Sequence, residues 1–226
     1  MTAKPGAADR WRSLVLGLLV ATVAVSAWPA EPASLRFDQV FTADGEPSAQ
    51  HFSARFVSRG EQHVMQLWRD GDRRLVRRTD DATEIHVSRT PHDPDYEMVV
   101  LDLRRKLETR VARYDLYRLG SFTDWFDLAH GLRHPKAAYR LTATAPPKTA
   151  PLPIQACQWY LLEQSGRSTR ICWSAREHVP MLMLGDDDRV AWALTELTHK
   201  PAPASVFEIH DIGFVRNDAH RDITGD

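Results

Sequence analysis

The sequence has little of several features that mark whole classes of protein. Only two of its 226 residues are cysteine, and the formal net charge is −1. No apolar run reaches the roughly 20 residues that a membrane-spanning helix needs. Hydrophobic residues make up 43% of the chain and charged residues 26%, as in ordinary globular domains. These values exclude a disordered polymer, a collagen-like fibre and a multi-pass membrane protein, and the total charge gives no attraction for nucleic acid.

The chain also lacks the short motifs that identify common enzymes. It contains no Gly-x-Ser-x-Gly, no phosphate-binding Walker loop and no dinucleotide-binding fingerprint. Neither Ser165 nor Ser174 has an assignable base nearby in the sequence. We therefore expect no cofactor and no catalytic residue, and we keep an envelope hydrolase as the less favoured alternative.

The first thirty residues have the layout of a secretory signal. Lys4, Arg10 and Arg12 precede an apolar run from Leu14 to Val25, and Val25-Ser26-Ala27 supplies small residues before a cleavage point. We predict a signal peptide over residues 1–27 and a single mature domain over residues 28–226, in the periplasm. Cleavage after Ala30 and retention of the run as a membrane anchor are the alternatives. No cysteine lies near the cleavage point, which excludes a bacterial lipoprotein.

The two cysteines, Cys157 and Cys172, both lie in the exported part of the chain. An even number of cysteines in an oxidising compartment favours a disulfide. Apolar segments on both sides of Gln164-Ser165-Gly166 predict a β-hairpin, and the midpoint between the cysteines falls within that turn. We therefore expect the two residues to face each other across neighbouring strands and to be bonded. The redox-active alternative lacks a Cys-x-x-Cys motif.

Most of the mature chain alternates between period-two apolar patterns and turn signals. The spacing of about ten residues per strand predicts an antiparallel meander. Strands are also predicted for the cysteine hairpin and for three later segments, which are Met181–Leu184, Ala191–Leu197 and Phe207–Val215. Helical signals interrupt the pattern between Tyr114 and Gly131, where Ser121 and Asp124 resemble a capping box. The fold class is therefore mainly β with a small helical insert, as a curved antiparallel sheet or as a β-sandwich.

Three features suggest metal binding and have simpler explanations. His130 and His134 are four residues apart, but Gly131 and Pro135 break a helix between them. The prolines around His92 predict an exposed turn, and Asp186–Asp188 predicts a hairpin tip, where successive carboxylates point in different directions. We therefore expect no metal site.

Charge is distributed unevenly along the chain. Residues 69–78 carry five arginines and two aspartates, and residues 186–226 carry nine acidic and four basic residues. A surface for an acidic protein partner or for anionic headgroups is one interpretation, and solvated strand faces are the other. The candidate docking residues are Arg73, Arg74, Arg77, Arg104 and Arg105.

The order of elements resembles the bacterial periplasmic LolA-like proteins. The resemblance rests on the signal segment, the strand meander, the helical insert with Trp125-Phe126-Asp127-Leu128 and the strands that follow it. It also rests on the segment from Cys157 to Trp173 followed by Val179-Pro180-Met181. The resemblance implies a strongly curved, unclosed antiparallel sheet, covered by helices, that holds acyl chains or a lipid-like ligand.

Two hypotheses about function follow. In the first, the protein is a periplasmic, non-enzymatic binding protein for a lipid, a lipoprotein acyl chain or another apolar ligand. Its candidate cavity residues, each of which can also serve as core, are Trp125, Phe126, Trp159, Trp173, Met181, Met183 and Trp192. In the second, the same fold has no usable cavity and serves as an accessory subunit or scaffold of a cell-envelope complex.

Overall fold

The computed structural model describes residues 34–118 and 123–218, together with Met1. The chain divides into two units, Met1–Pro32 and Ala33–Asp226, and the description below concerns the second. The predicted signal segment and Ser121 of the predicted capping box therefore lie outside the described residues. Within the described part of the chain, no helix has the length and apolar character that crossing a membrane requires.

Strands dominate the described residues, and the helical segments are short. The helices are α1 (Phe37–Val40), α2 (Arg113–Arg118) and α3 (Trp125–Ala129), with one 3₁₀ turn over Ala204–Phe207. The strands are β1 (Ala49–Ser58), β2 (Glu61–Asp70), β3 (Arg74–Thr79), β4 (Thr83–Ser88), β5 (Glu97–Asp102), β6 (Leu107–Ala112), β7 (Tyr139–Ala143), β8 (Gln158–Gln164), β9 (Arg167–Ser174), β10 (Val179–Leu184), β11 (Val190–Thr198) and β12 (Val215–Asp218).

All twelve strands belong to one curved, unclosed sheet, in the order β12-β6-β5-β4-β3-β2-β1-β11-β10-β9-β8-β7. The meander from β1 to β6 and the meander from β7 to β11 meet where β1 pairs with β11. Pairing is antiparallel except between β12 and β6. The prediction of a mainly β fold with a curved sheet and a small helical insert is confirmed, and the described strands do not divide into the two sheets of a sandwich.

Strand register assigns each side chain to one of two faces. Residues directly opposite each other in a pair point to the same side, so Phe56 shares a face with Trp192 in β11 and, through β2, with Arg77 in β3. The helical segments pack on this face, which we call the helix-covered face. We call the opposite side the outer face.

Two groups of buried residues fix the helical segments to the helix-covered face. Trp125, Leu128 and Ala129 of α3 pack against Leu75 and other apolar residues of β3 to β6. Phe37 of α1, with Phe41, packs against residues of β7 to β9 in a second group. Phe126 of α3 also packs against the second group, so α3 contacts both halves of the sheet.

The chain between β11 and β12 crosses the outer face. The 3₁₀ turn over Ala204–Phe207 lies against β3, and the guanidinium of Arg74 lies 4.3 Å from the centre of the Phe207 ring. The prediction of a strand over Phe207–Val215 is wrong, since the 3₁₀ turn ends at Phe207 and β12 begins only at Val215. Gly213, with φ of 81°, belongs to the turn that precedes β12.

The predicted cysteine hairpin and its disulfide are present. Ser165 and Gly166 connect β8 to β9 with φ values of 51° and 74°, as a two-residue hairpin turn requires. Cys157 and Cys172 are bonded, with their Cα atoms 5.3 Å apart. The expectation that the two cysteines face each other is wrong. Trp159 lies opposite Cys172, and Cys157 lies just before β8, so the bond reaches diagonally across the pair.

Candidate functional site

A cleft of about 500 Å³ opens between the helix-covered face and the loop that follows α3. Its apolar wall consists of Phe56 from β1, Met65 from β2, Met183 from β10 and Trp192 from β11. The four strands are neighbours in the sheet, so their alternating residues form one continuous apolar surface. The volume lies within the roughly 300–1,000 Å³ typical of small-molecule sites.

The loop after α3 approaches the sheet at Gly131. Helix α3 ends at Ala129, and Gly131 continues with φ of 67°, a conformation that favours glycine. A Cβ atom on Gly131 would lie 2.7 Å from Cη2 of Trp192, so a side chain here would require the ring or the loop to move. The Trp192 ring is held in place by a 2.9 Å hydrogen bond from its Nε1 to the carbonyl of Pro180.

Two arginines give the cleft a positive end. Arg77 lies on β3, opposite Leu67 and Ile85, and Arg133 lies in the loop after α3. Both also line a smaller cavity of about 140 Å³ beside α3. Burial, and next the neighbouring Arg133 guanidinium, lower the pKa of Arg77. The cleft therefore combines an apolar wall with two cationic side chains.

Asp127 is the acidic residue that lines both cavities, and it is bound to His134. Its Oδ1 accepts a hydrogen bond from the His134 backbone N–H and lies 2.9 Å from His134 Nδ1. His134 Nε2 lies 3.1 Å from Oδ1 of Asp38. The hydrogen bond to Asp127 raises the pKa of His134 against the effect of burial, with help from Asp124 and Asp38.

Asp124, Asp127 and His134 also have the donor atoms of a metal site, since these lie within 4.8 Å of one another. The same three side chains form ion pairs with one another, since His134 Nδ1 lies 2.9 Å from Oδ1 of Asp127 and 3.3 Å from Oδ2 of Asp124. The arrangement is that of an ion-pair cluster joining α1, α3 and the following loop. His130 does not take part in this cluster. It is fully buried, and its Nε2 lies 2.7 Å from Oε2 of Glu46.

A separate groove, which has polar residues in its lining, lies at another part of the sheet. Ser174, Glu177 and His199 line it, and His199 Nε2 lies 2.6 Å from Oε2 of Glu177. The Ser174 hydroxyl accepts a 3.3 Å hydrogen bond from the Glu177 backbone N–H. A serine nucleophile needs a hydrogen bond to its base, and the described residues have no hydrogen bond between Ser174 and His199. The arrangement gives no support to a hydrolase.

Two of the predicted cavity residues, Met183 and Trp192, line the cleft. The others lie elsewhere, and four of them are buried: Trp125 beneath the Arg89 guanidinium, Trp159 opposite Cys172, Trp173 beside Phe41, and Met181 in the core around β10. Phe126 is partly buried and stacks on His130, with 4.4 Å between ring centres.

The predicted docking arginines do not form one surface. Arg73 and Arg74 pair with Asp70 at the β2–β3 turn. Arg104 and Arg105 lie in the β5–β6 turn, at the opposite end of the strands, where their backbone N–H groups bind Asp102. Arg77 lines the cleft.

Sequence reasoning missed Phe56, Met65 and Arg133 as cleft residues. The sequence did indicate which face of β3 Arg77 occupies. Arg77 is two residues from Leu75 in the strand and therefore shares the buried face with it. The contribution of Arg133 depends on how the loop after α3 packs, and the local sequence carries no signal for that packing.

No family model matches this chain, and the comparison with curated proteins found no match. Among solved structures, the chain is similar to PNGF-II, with a TM-score of 0.32 and 6% sequence identity. The alignment covers 78% of this chain and 33% of the PNGF-II chain.

Proposed function

We propose that this protein binds an elongated apolar ligand in the cleft between the helix-covered face and the loop after α3. The observation that carries the proposal is the continuous apolar wall of Phe56, Met65, Met183 and Trp192 in an open cleft of about 500 Å³. A closed core would fill such a space with side chains, since protein interiors are packed to crystal-like density. The role is binding rather than catalysis.

The cellular setting belongs to the same proposal. The predicted signal segment and the disulfide between Cys157 and Cys172 both suit an exported protein in the periplasm. A lipid, or the acyl chain of a lipoprotein, is the apolar ligand available there in quantity, as the LolA-like resemblance implies. An envelope protein that delivers or accepts the ligand would be the partner.

The proposal is tested with the neutral fluorescent probe N-phenyl-1-naphthylamine, whose emission rises in apolar sites. The mature protein, purified without detergent, should bind the probe saturably, and native mass spectrometry should detect co-purified lipid. The Met183→Trp variant should bind about tenfold less tightly, because the larger ring fills the cleft. Absence of saturable binding by the wild-type protein would contradict the proposal.

The matched control is Val64→Trp. Val64 lies on β2 next to Met65 but on the outer face, where it is 49% exposed. The substitution introduces the same ring without entering the cleft, so probe binding should stay at the wild-type level. Equal loss in both variants would show that binding does not depend on the cleft.

A further inference from the structure

Several other buried or partly buried arginines among the described residues have carboxylate partners. Arg69, whose side chain is fully buried, lies 2.5 Å from Oε1 of Glu46. Arg78 pairs with the buried Glu84 on the outer face. A buried guanidinium without a partner is costly, because its charge loses solvation that nothing replaces.

Arg77 differs from these residues because its side chain forms no ion pair with another described residue. Its Nε atom is buried without a hydrogen-bond partner, as the Nε of Arg69 is, but Arg69 has Glu46 as its counter-charge. The side chain of Arg133, which lines the same two cavities, likewise forms no ion pair within the described ranges, and it repels Arg77. Asp127 is the nearby acidic residue, but His134 binds its Oδ1.

An anionic group bound by Arg77 and Arg133 would give both guanidinium groups a partner of opposite charge. Arginine presents several N–H donors in a planar fork that suits a carboxylate or a phosphate. The cleft extends from the two arginines to the apolar wall at Trp192 and Met183, so one molecule could contact both. The expected molecule has an oxyanion at one end and a hydrocarbon chain at the other.

We infer that Arg77 and Arg133 bind the anionic head of an amphiphile whose chain lies along the apolar wall of the cleft. The inference rests on the proposed function and adds the charge of the ligand and the two residues that recognise it. A fatty-acid carboxylate and a lipid phosphate share this chemistry. Arg77 forms the inner contact and Arg133, which is exposed, forms the contact at the rim.

The test uses three probes with the same hydrocarbon chain: hexadecanoate, hexadecyl phosphate and hexadecanol. Each is titrated against bound N-phenyl-1-naphthylamine in the wild-type protein. Both anions should displace the fluorescent probe at about tenfold lower concentration than the alcohol, as charge-assisted hydrogen bonds predict. The tighter of the two anions identifies the head as a carboxylate or a phosphate.

The variants Arg77→Gln and Arg133→Gln should each weaken binding of the anions about tenfold and leave hexadecanol binding unchanged. Arg55→Gln is the control, since Arg55 is exposed on the outer face of β1 and its loss changes the net charge equally. Because Arg133 is exposed, its substitution should not disturb folding. Without ligand, Arg77→Gln should unfold at the same temperature as the wild type or higher.

The outcomes separate the two proposals. Equal affinity for the alcohol and the anions, unchanged by either substitution, would overturn the inference and leave the proposed function standing. Failure of all three probes to bind would overturn both. A lower unfolding temperature of ligand-free Arg77→Gln would show that Arg77 stabilises the fold, which also contradicts the inference.

Discussion

Gly131 lies against the edge of the Trp192 indole, so closely that a side chain at this position would force the ring or the loop after α3 to move. A Cβ atom there would lie 2.7 Å from Cη2 of Trp192, and the backbone has φ of 67°. The contact determines the distance between the loop and the sheet, and this distance is one dimension of the cleft.

We expect Gly131→Ala to destabilise the protein by about 2–4 kcal/mol, from backbone strain together with the clash against Trp192. Urea denaturation measures the change. Gly166→Ala is the control, because Gly166 has a similar φ of 74° but nothing within 4 Å of an added Cβ. Its cost should be limited to backbone strain of about 1 kcal/mol. Equal losses in the two variants would mean that the ring moves away without cost.

The disulfide gives a second prediction. The bond between Cys157 and Cys172 closes a loop with a sequence separation of 15. Cys157→Ser or Cys172→Ser should lower the free energy of unfolding by about 2–4 kcal/mol, because the bond restricts the unfolded chain. Binding of the fluorescent probe should fall only as folding does. Titration of thiols in unreduced, denatured protein should find none, and two per chain would contradict the bond.

The sequence predicted the strands better than their long-range pairing. Period-two patterns identified β1 to β6, but no local signal specified that β1 pairs with β11. The short helix α1 and the strand β7 were missed, since four or five residues carry too little periodicity to identify them. The disulfide was predicted correctly although the register was wrong by two residues, because the position of the turn residues decides the register.

The sequence predicted only part of the candidate site, again because local patterns do not specify which parts of the chain come together. Met183 and Trp192 stand out as apolar residues in strongly apolar strands. Arg77 was grouped with other arginines by its position along the chain, whereas the face of β3 that it occupies places it in the cleft. Alternation places it with Leu75 on the buried side of β3, away from Arg74 and Arg78.

Glu84 gives a prediction about acid stability. Its side chain is 6% exposed on the outer face, and His86 Nε2 lies 2.7 Å from its Oε1. The hydrogen bond from His86, together with Arg78, lowers the pKa of Glu84 to about 2 despite burial. A lowered pKa in the folded state stabilises the protein above the unfolded value of 4.5, and the contribution is lost as the pH falls towards 2.

Glu84→Gln should therefore lower the free energy of unfolding by about 1–3 kcal/mol at pH 7, and by much less at pH 2.5. Denaturation with urea across this pH range measures the difference between variant and wild type. Glu61→Gln serves as the control, because Glu61 is exposed at the start of β2. A difference that does not change with pH would contradict the role of the Glu84 carboxylate.

His134 gives the opposite pH dependence. Its imidazole lies between Asp127 of α3 and Asp38 of α1 and joins the loop after α3 to these two helices. Because the hydrogen bond to Asp127 raises the pKa of His134 above 6.5, the charged form stabilises the folded protein. This stabilisation is fully present below pH 6.5 and is lost as the pH rises through the raised folded value.

His134→Gln should therefore destabilise the protein at pH 5.5 and have a smaller effect at pH 9. The His134 ring resonance, followed by NMR in the presence of EDTA, should titrate with a midpoint above 6.5. His210→Gln is the control, since His210 is exposed and forms no ion pair with a described residue. A midpoint below 6.5, or an equal loss of stability at both pH values, would mean that neutral His134 holds the loop.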